Sequence, residues 1–127
     1  MKLRIKGNSL RLRLSRSEVA SLLKRDRLEE TIHFAQQANA QLTYALEQSA
    51  STNVPTVQYT ENNVTVLIPA EAANTWCLSD QVGIVERLSI GSYGFLDVLI
   101  EKDFACLDRN DEDNEDAFPN PNAGTTC

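Results

Sequence analysis

Apolar and polar residues alternate from the start of the chain. Leu3 and Ile5, then Leu10, Leu12 and Leu14, take every second position on either side of Gly7-Asn8. A period of two marks half-buried strands, so residues 2–6 and 9–14 are expected to form a hairpin around a two-residue turn. That register pairs Ile5 with Leu10 and Leu3 with Leu12 on one face. On the other face it sets Arg4 opposite Arg11 and Lys2 opposite Arg13. Like charges directly opposite each other destabilise a hairpin. The basic face must therefore be answered by a nucleic acid, a partner, or the rest of the chain.

The period then changes. Ser15 and Glu18 make a capping box, and Leu14 and Val19 stand where a hydrophobic staple would bracket it. A helix of about two turns is expected, with Val19, Leu22 and Leu23 on one side. Alternation resumes over residues 27–34 and 41–47, across a polar, Ala-rich connection. Further on, strands are expected at Thr56–Thr60 and Val64–Ile68 around Glu61-Asn62-Asn63, because asparagine tolerates the positive φ of a hairpin turn. Pro69 suits a first helical position, and Ala73, Trp76 and Cys77 then share a helix face. Strands near 82–90 and 95–101 are joined by Gly91-Ser92-Tyr93-Gly94. No strand-to-helix context makes that stretch a phosphate loop.

Sliding the chain against itself by 54 residues, without gaps, superposes these patterns. Leu10, Leu12 and Leu14 fall on Val64, Val66 and Ile68. Val19 and Leu22 fall on Ala73 and Trp76, and Leu42, Tyr44 and Leu46 on Leu96, Val98 and Ile100. The register breaks where Glu30 faces Ile84 and Ile32 faces Glu86. The expected fold class is α+β and antiparallel β-rich: a small barrel from two tandem ββαββ repeats with two short helices. Residues 1–107 would form a single barrel-like domain, with repeat one at about 2–50 and repeat two at about 56–104. Residues 108–127 would form an acidic C-terminal tail containing Pro and Asn.

With 127 residues, of which 42% are hydrophobic and 24% charged, the chain can bury one ordinary core. The charged N-terminus does not read as a secretory signal, so none is expected, and no stretch is long and apolar enough to span a membrane. A cytoplasmic protein is expected. The net charge of −6 conceals a polarity. Residues 1–27 hold nine Lys or Arg against Glu18 and Asp26, whereas residues 97–127 hold nine acids against Lys102 and Arg109. A basic head and an acidic tail can neutralise each other or serve different partners.

Candidate chemistry is sparse. The single histidine, His33, shares a strand face with Glu29 and Thr31, where a base beside an acid would suit catalysis; the reading taken here is instead a solvated polar strand face. Cys77 lies on an apolar helix face, where thiols pack rather than react. Cys106 has no second sulfur or histidine near it in sequence for zinc. Asp108, Asp111, Glu112 and Asp113 supply oxygen ligands of the kind calcium takes, but Asp113 stands where a calcium loop needs Gly. No catalytic set and no cofactor is implied. The candidate binding residues are Lys2, Arg4, Lys6, Arg11 and Arg13. A nucleic acid would exploit counterion release there, although the cations lack the interleaved aromatics of single-strand binders. Alternatively the tail, Glu47 or Glu101 covers them, or an acidic protein partner or a second copy does.

The stretch "IKGNSLRLRLSRSEVASLLKRDRLEETIHF" is similar to the N-terminal domain of AbrB/MazE-type bacterial regulators, on Lys6-Gly7-Asn8-Ser9 and the alternating Leu10–Leu14 segment. The resemblance implies swapped hairpins closing a small barrel, and DNA binding through basic residues near the first hairpin. Lys6 replaces the aromatic usual before Gly-Asn-Ser, and Ser15 a frequent proline. In the second repeat the cations become Thr56, Gln58, Thr60, Thr65 and Leu67, so one chain would carry one basic half-site. The segments "LSDQVGI" (78–84), "EKDFACL" (101–107) and "FPNPNA" (118–123) also resemble a bacterial family of small proteins without assigned function. The reading is a non-enzymatic binding or regulatory module whose basic N-terminal hairpin is neutralised by the acidic tail or by a partner. The alternative is an AbrB/MazE-like, antitoxin-like DNA-binding regulator, and the third is an enzyme using His33.

Overall fold

The computed structural model describes residues 1–105 and 116–119. Its elements follow one plan twice. The first copy runs through β1 (Lys2–Ile5), β2 (Ser9–Leu14), α1 (Arg16–Arg25), β3 (Arg27–His33) and β4 (Gln41–Ser49). The second runs through β5 (Thr56–Thr60), β6 (Asn63–Pro69), α2 (Ala70–Cys77), β7 (Gly83–Ser89) and β8 (Phe95–Lys102), with a single 3-10 turn at Gly91–Tyr93. The tandem ββαββ repeats expected from the alternation are therefore present.

The copies do not stand side by side. The strands form two four-stranded sheets, ordered β1-β2-β8-β7 and β3-β4-β6-β5. Each sheet takes one hairpin from each copy, joined at its centre by a parallel pair, β2 with β8 or β4 with β6. The other pairs are antiparallel. Among the described strands the hydrogen bonding does not close into one barrel, and β1, β7, β3 and β5 are sheet edges. Charge protects two of these edges: β1 is four residues long and carries Lys2 and Arg4, and β3 carries Glu29 and Glu30. Short or charged edge strands resist further pairing.

The pairing obeys the repeat. Lys2↔Arg13 in the first hairpin becomes Thr56↔Leu67, and Leu12↔Ile100 across one parallel seam becomes Leu46↔Val66 across the other. The offset is 54 in β1, β2 and β4. It is 56 in β3, because Leu28↔Leu46 and Ile32↔Leu42 match Ile84↔Ile100 and Leu88↔Leu96. This corrects the gap-free superposition. Helix α2 is two residues shorter than α1 but is followed by a longer connection, and the shorter β7–β8 link restores the register.

The inner faces carry the core. Leu3, Leu12, Ile100 and Ile84 form one cross-strand row, and Val57, Val66, Leu46 and Leu28 form its counterpart. The helices add Val19, Leu22, Ala73 and Trp76. Each fully buried Leu or Val contributes about 1.5–3 kcal/mol relative to exposure. Trp76 is wholly buried, and its indole N–H donates to the Val82 carbonyl at 3.2 Å, which removes the cost of burying that donor.

Local chemistry sets the helix ends. The Ser15–Glu18 capping box is formed, with Leu14 and Val19 both buried beside it. Helix α1 runs for ten residues, beyond the two turns expected, and Asp26 ends it in the left-handed region at φ 63°. Pro69 is not the first helical residue but the extended cap before it, at φ −57° and ψ 137°, so α2 lacks a side-chain cap. After β8 the chain meets its own C-terminal segment. The Phe118 N–H donates to Asp103 O at 2.7 Å, and Ala105 N–H to Phe118 O at 2.6 Å. Phe104 and Phe118 pack with ring centroids 5.9 Å apart. Asp116 accepts from Arg16 N–H at 2.9 Å and binds the Ser17 hydroxyl at the start of α1. Its carboxyl lies below the ordinary range because of that hydroxyl. No described helix is long and apolar enough to cross a membrane.

Candidate functional site

The expected hairpin forms in the expected register: Lys2↔Arg13, Leu3↔Leu12, Arg4↔Arg11 and Ile5↔Leu10. Gly7 adopts φ +56° at the first position of the two-residue turn, a conformation that favours glycine. Lys6 and Ser9 exchange backbone bonds at 3.1 and 3.3 Å, and the Ser9 hydroxyl donates to Lys6 O at 2.6 Å. The turn therefore holds Lys2, Arg4, Arg11 and Arg13 on one sheet face, pointing away from the core, with Lys6 in the turn itself.

Part of this charge is answered by strand β8. Glu101 lies beside Arg13 across the parallel seam. One of its oxygens accepts from the Arg13 guanidinium at 2.8 and 2.9 Å and lies 3.5 Å from Arg11 Nε. Lys2 Nζ reaches Asp103 at 3.2 Å. Glu47, the repeat partner of Glu101, does not reach the hairpin; it pairs with Arg27 at 3.1 Å on the other sheet. Among the described residues, Arg4 and Lys6 have no ion pair. The cations line two adjoining recesses. One, of about 160 Å³, is bounded by Lys2, Arg4, Arg11 and Arg13. The other, of about 120 Å³, is bounded by Arg4, Lys6, Ser9 and Arg11.

Strands β8 and β7 complete this outer face. In register with Ser9, Arg11 and Arg13 stand Asp97, Leu99 and Glu101, and beyond them Arg87, Val85 and Gly83. Arg87 pairs with Asp97 at 3.3 Å and lies 4.5 Å over the Phe95 ring. Local sequence could not reveal Phe95 or Arg87 as neighbours of the basic hairpin, since only the β2–β8 pairing joins them.

The other candidates do not converge. His33 is exposed, and among the described residues its side chain has no hydrogen bond or ion pair. On its face Glu29 is held by Arg27 at 3.2 Å, and Thr31 bonds Thr43 at 2.7 Å. Cys106 and the metal candidates Asp108, Asp111, Glu112 and Asp113 lie outside the described residues. Among the described residues no group of three potential metal ligands forms. Cys77 is half-buried, and burial pushes its thiol up against the opposing pull of Lys102.

Lys102 escaped the sequence reading. It is 4% exposed, and its ammonium donates to Ser79 O at 2.6 Å and faces the Trp76 and Phe118 rings. Gln48, one repeat earlier, donates to Leu22 O at 2.8 Å. Gln48 thus reaches a carbonyl in the last turn of α1, and Lys102 the Ser79 carbonyl just beyond the C-terminal cap of α2. There a cation also suits the helix dipole.

Comparison with curated proteins and with solved structures finds no match. Over residues 1–122 the chain fits the model of a sequence family of unknown function, DUF7009. That match spans both repeats and the C-terminal segment that returns to α1, and the chain belongs to the DUF7009 family.

Proposed function

We propose that this chain is a non-enzymatic binding module whose ligand presents anionic groups to the outer face of the β1-β2-β8-β7 sheet. The observation that carries the reading is the pair of adjoining recesses in which Arg4 and Lys6 stand without an ion pair among the described residues. Folding sets Arg4 against Arg11 across two antiparallel strands, which costs stability unless an anion answers it. Glu101 and Asp103 answer Arg11, Arg13 and Lys2. The remainder fits an external anion in a cytoplasmic setting, from a nucleic acid or from an acidic protein partner.

The test is heparin chromatography of the full chain beside the double variant Arg4→Ala/Lys6→Ala. Wild type should be retained at low salt, and the variant should elute earlier. A wild type that flows through, or a variant that elutes with it, rejects the reading.

A second reading is an AbrB/MazE-like regulator of duplex DNA. Its support is the exchange of hairpins between two ββαββ units. Against it, β5 and β6 carry Thr56, Gln58, Thr65 and Leu67 where β1 and β2 carry cations. Symmetric duplex reading takes two half-sites, so this reading requires a dimer of the chain. A monomeric mass in solution with DNA bound would exclude it.

A further inference from the structure

The outer face of the β1-β2-β8-β7 sheet combines charge with exposed aromatic surface. Phe95 is 50% exposed and Tyr93, on the adjoining turn, is 88% exposed. Phe95 alternates in phase with Asp97, Leu99 and Glu101, so it belongs to the face that carries Arg4, Arg11 and Arg13. The two halves are bonded together: Asn8 Nδ2 donates to Phe95 O at 2.6 Å, and Asp97 N–H donates to Asn8 O at 3.2 Å. Same-face residues repeat at about 6.6 Å along a strand. Phe95, four residues from Leu99, therefore lies roughly 13 Å along β8 from the Arg11 row.

We infer that this face is a platform for single-stranded nucleic acid, an inference that rests on the anion-binding reading above. The cations of the hairpin follow the phosphates. Phe95, Arg87 and Tyr93 stack against unpaired bases. Single strands are bound by a positive track combined with ring planes on which bases stack, and an arginine plane serves as a base platform as well as a ring does. The Arg87 guanidinium, 4.5 Å from the Phe95 centroid, already forms such a stack. A duplex hides its base faces and gains nothing from the aromatics. An acidic peptide would use the cations but has no bases to stack. The missing interleaved aromatics of the basic hairpin are supplied here by the second repeat. The outer face of the other sheet has no such combination: its central rows are Glu29, Ala45, Thr65, Gln58 and Thr31, Thr43, Asn63, Thr60.

Fluorescence anisotropy on the full chain tests this with three labelled probes: a short oligothymidylate, a duplex of the same length, and an oligoglutamate. The proteins are wild type, Tyr93→Ala, Phe95→Leu and Arg4→Ala/Lys6→Ala. The expected result is tighter binding of the oligothymidylate than of the duplex. Each aromatic variant should lose roughly tenfold for the single strand and little for the other probes, while the double variant weakens all three. Duplex or oligoglutamate binding as tight as the single strand overturns the platform. So do aromatic variants that bind the single strand like wild type. In both cases the anion-binding reading survives if the double variant is impaired. No binding to any probe, or an unimpaired double variant, overturns both. Emission of Trp76, the single tryptophan and fully buried, reports that each variant is folded. Tyr93→Ala alters a side chain with almost no burial, so it tests stacking even if Phe95→Leu fails to fold.

Discussion

Replacing Glu101 by Gln should destabilise the fold and strengthen anion binding at once. The Glu101 side chain is 16% exposed, and one of its oxygens serves both Arg11 and Arg13. A hydrogen bond to a charged group contributes about 1.5–3 kcal/mol. Here the two arginine side chains are 37% and 35% exposed, so water replaces part of the lost interaction. Gln also keeps a carbonyl oxygen as acceptor. The expected cost is about 1–2 kcal/mol, or roughly 3–8 °C in Tm for a chain of this size. Removing the carboxylate leaves two arginines for the ligand. Each phosphate neutralised on a single strand adds about 0.7 to the slope of log affinity against log salt, so Glu101→Gln should steepen it by roughly 1–1.5. Thermal melts followed by Trp76 emission and an anisotropy salt titration measure the two effects. Glu47→Gln, which releases Arg27 on the other sheet, is the control and should leave the slope unchanged. A fall in Tm with no change in slope for Glu101→Gln would refute the reasoning, because it would make Arg11 and Arg13 structural cations only.

Two further outcomes follow from single positions. A Cβ added at Gly83 would lie 2.8 Å from the Ile100 carbonyl oxygen and 3.3 Å from Leu99 Cδ1, so Gly83→Ala should cost about 1–3 kcal/mol in urea unfolding; a wild-type midpoint would show that β7 shifts without penalty. Burial holds the Lys102 ammonium below its ordinary 10.5, against the pull of Cys77 and Asp80. Between its folded value and 10.5 the unfolded chain carries more protons, so Lys102 makes stability rise with pH in that window. The Met1 ammonium acts oppositely: burial lowers it, but Glu18 and Glu30 raise it overall above 8.0, and its contribution is lost as pH rises through the folded value. Lys102→Gln keeps an N–H donor for Ser79 O, as Gln48 does for Leu22 O. The wild-type minus variant difference in alkaline urea melts should therefore rise with pH, and a flat difference would contradict the burial of the charge.

The hairpin register and the capping box were legible because each is specified within a few residues. A one-residue slip would have turned Leu10, Leu12 and Leu14 outward. The break in the repeat was visible but its cause was not, for the same reason in reverse. A shift of two residues keeps every side chain on its face, so alternation alone cannot tell offset 54 from offset 56. The pairing of Ile84 with Ile100 establishes it, and an offset of 56 also sets Leu28, Glu30 and Ile32 on Ile84, Glu86 and Leu88. Lys102 continues the inward series Val98 and Ile100, so its burial was written in the alternation, yet a charge at a strand end reads as solvated until a carbonyl is found for it. The partners of the basic hairpin were not legible at all. Nothing local in Lys2–Leu14 specifies that β8 docks beside it, and that seam brings Glu101, Asp97 and Phe95 to the site.

The exchange of hairpins explains why having both units in one chain matters to such a surface. A dimer of identical ββαββ units would carry two equal sheet faces, so any cation gained on one would appear on both. Within one chain the faces diverge. The β1–β2 hairpin holds Lys2, Arg4, Arg11 and Arg13, and its counterpart holds Thr56, Gln58, Thr65 and Leu67. Because each sheet draws one hairpin from each copy, the second copy lies within the basic face and supplies the acids that moderate it. The same strand position shows the division. Glu101 stands beside Arg13 across the parallel seam and answers two cations of the other copy. Glu47 stands beside Leu67 across the equivalent seam and turns instead to Arg27 of its own hairpin. One carboxylate position thus tempers a charged face in one sheet and locks an edge strand in the other. A symmetric pair of chains could not make that distinction.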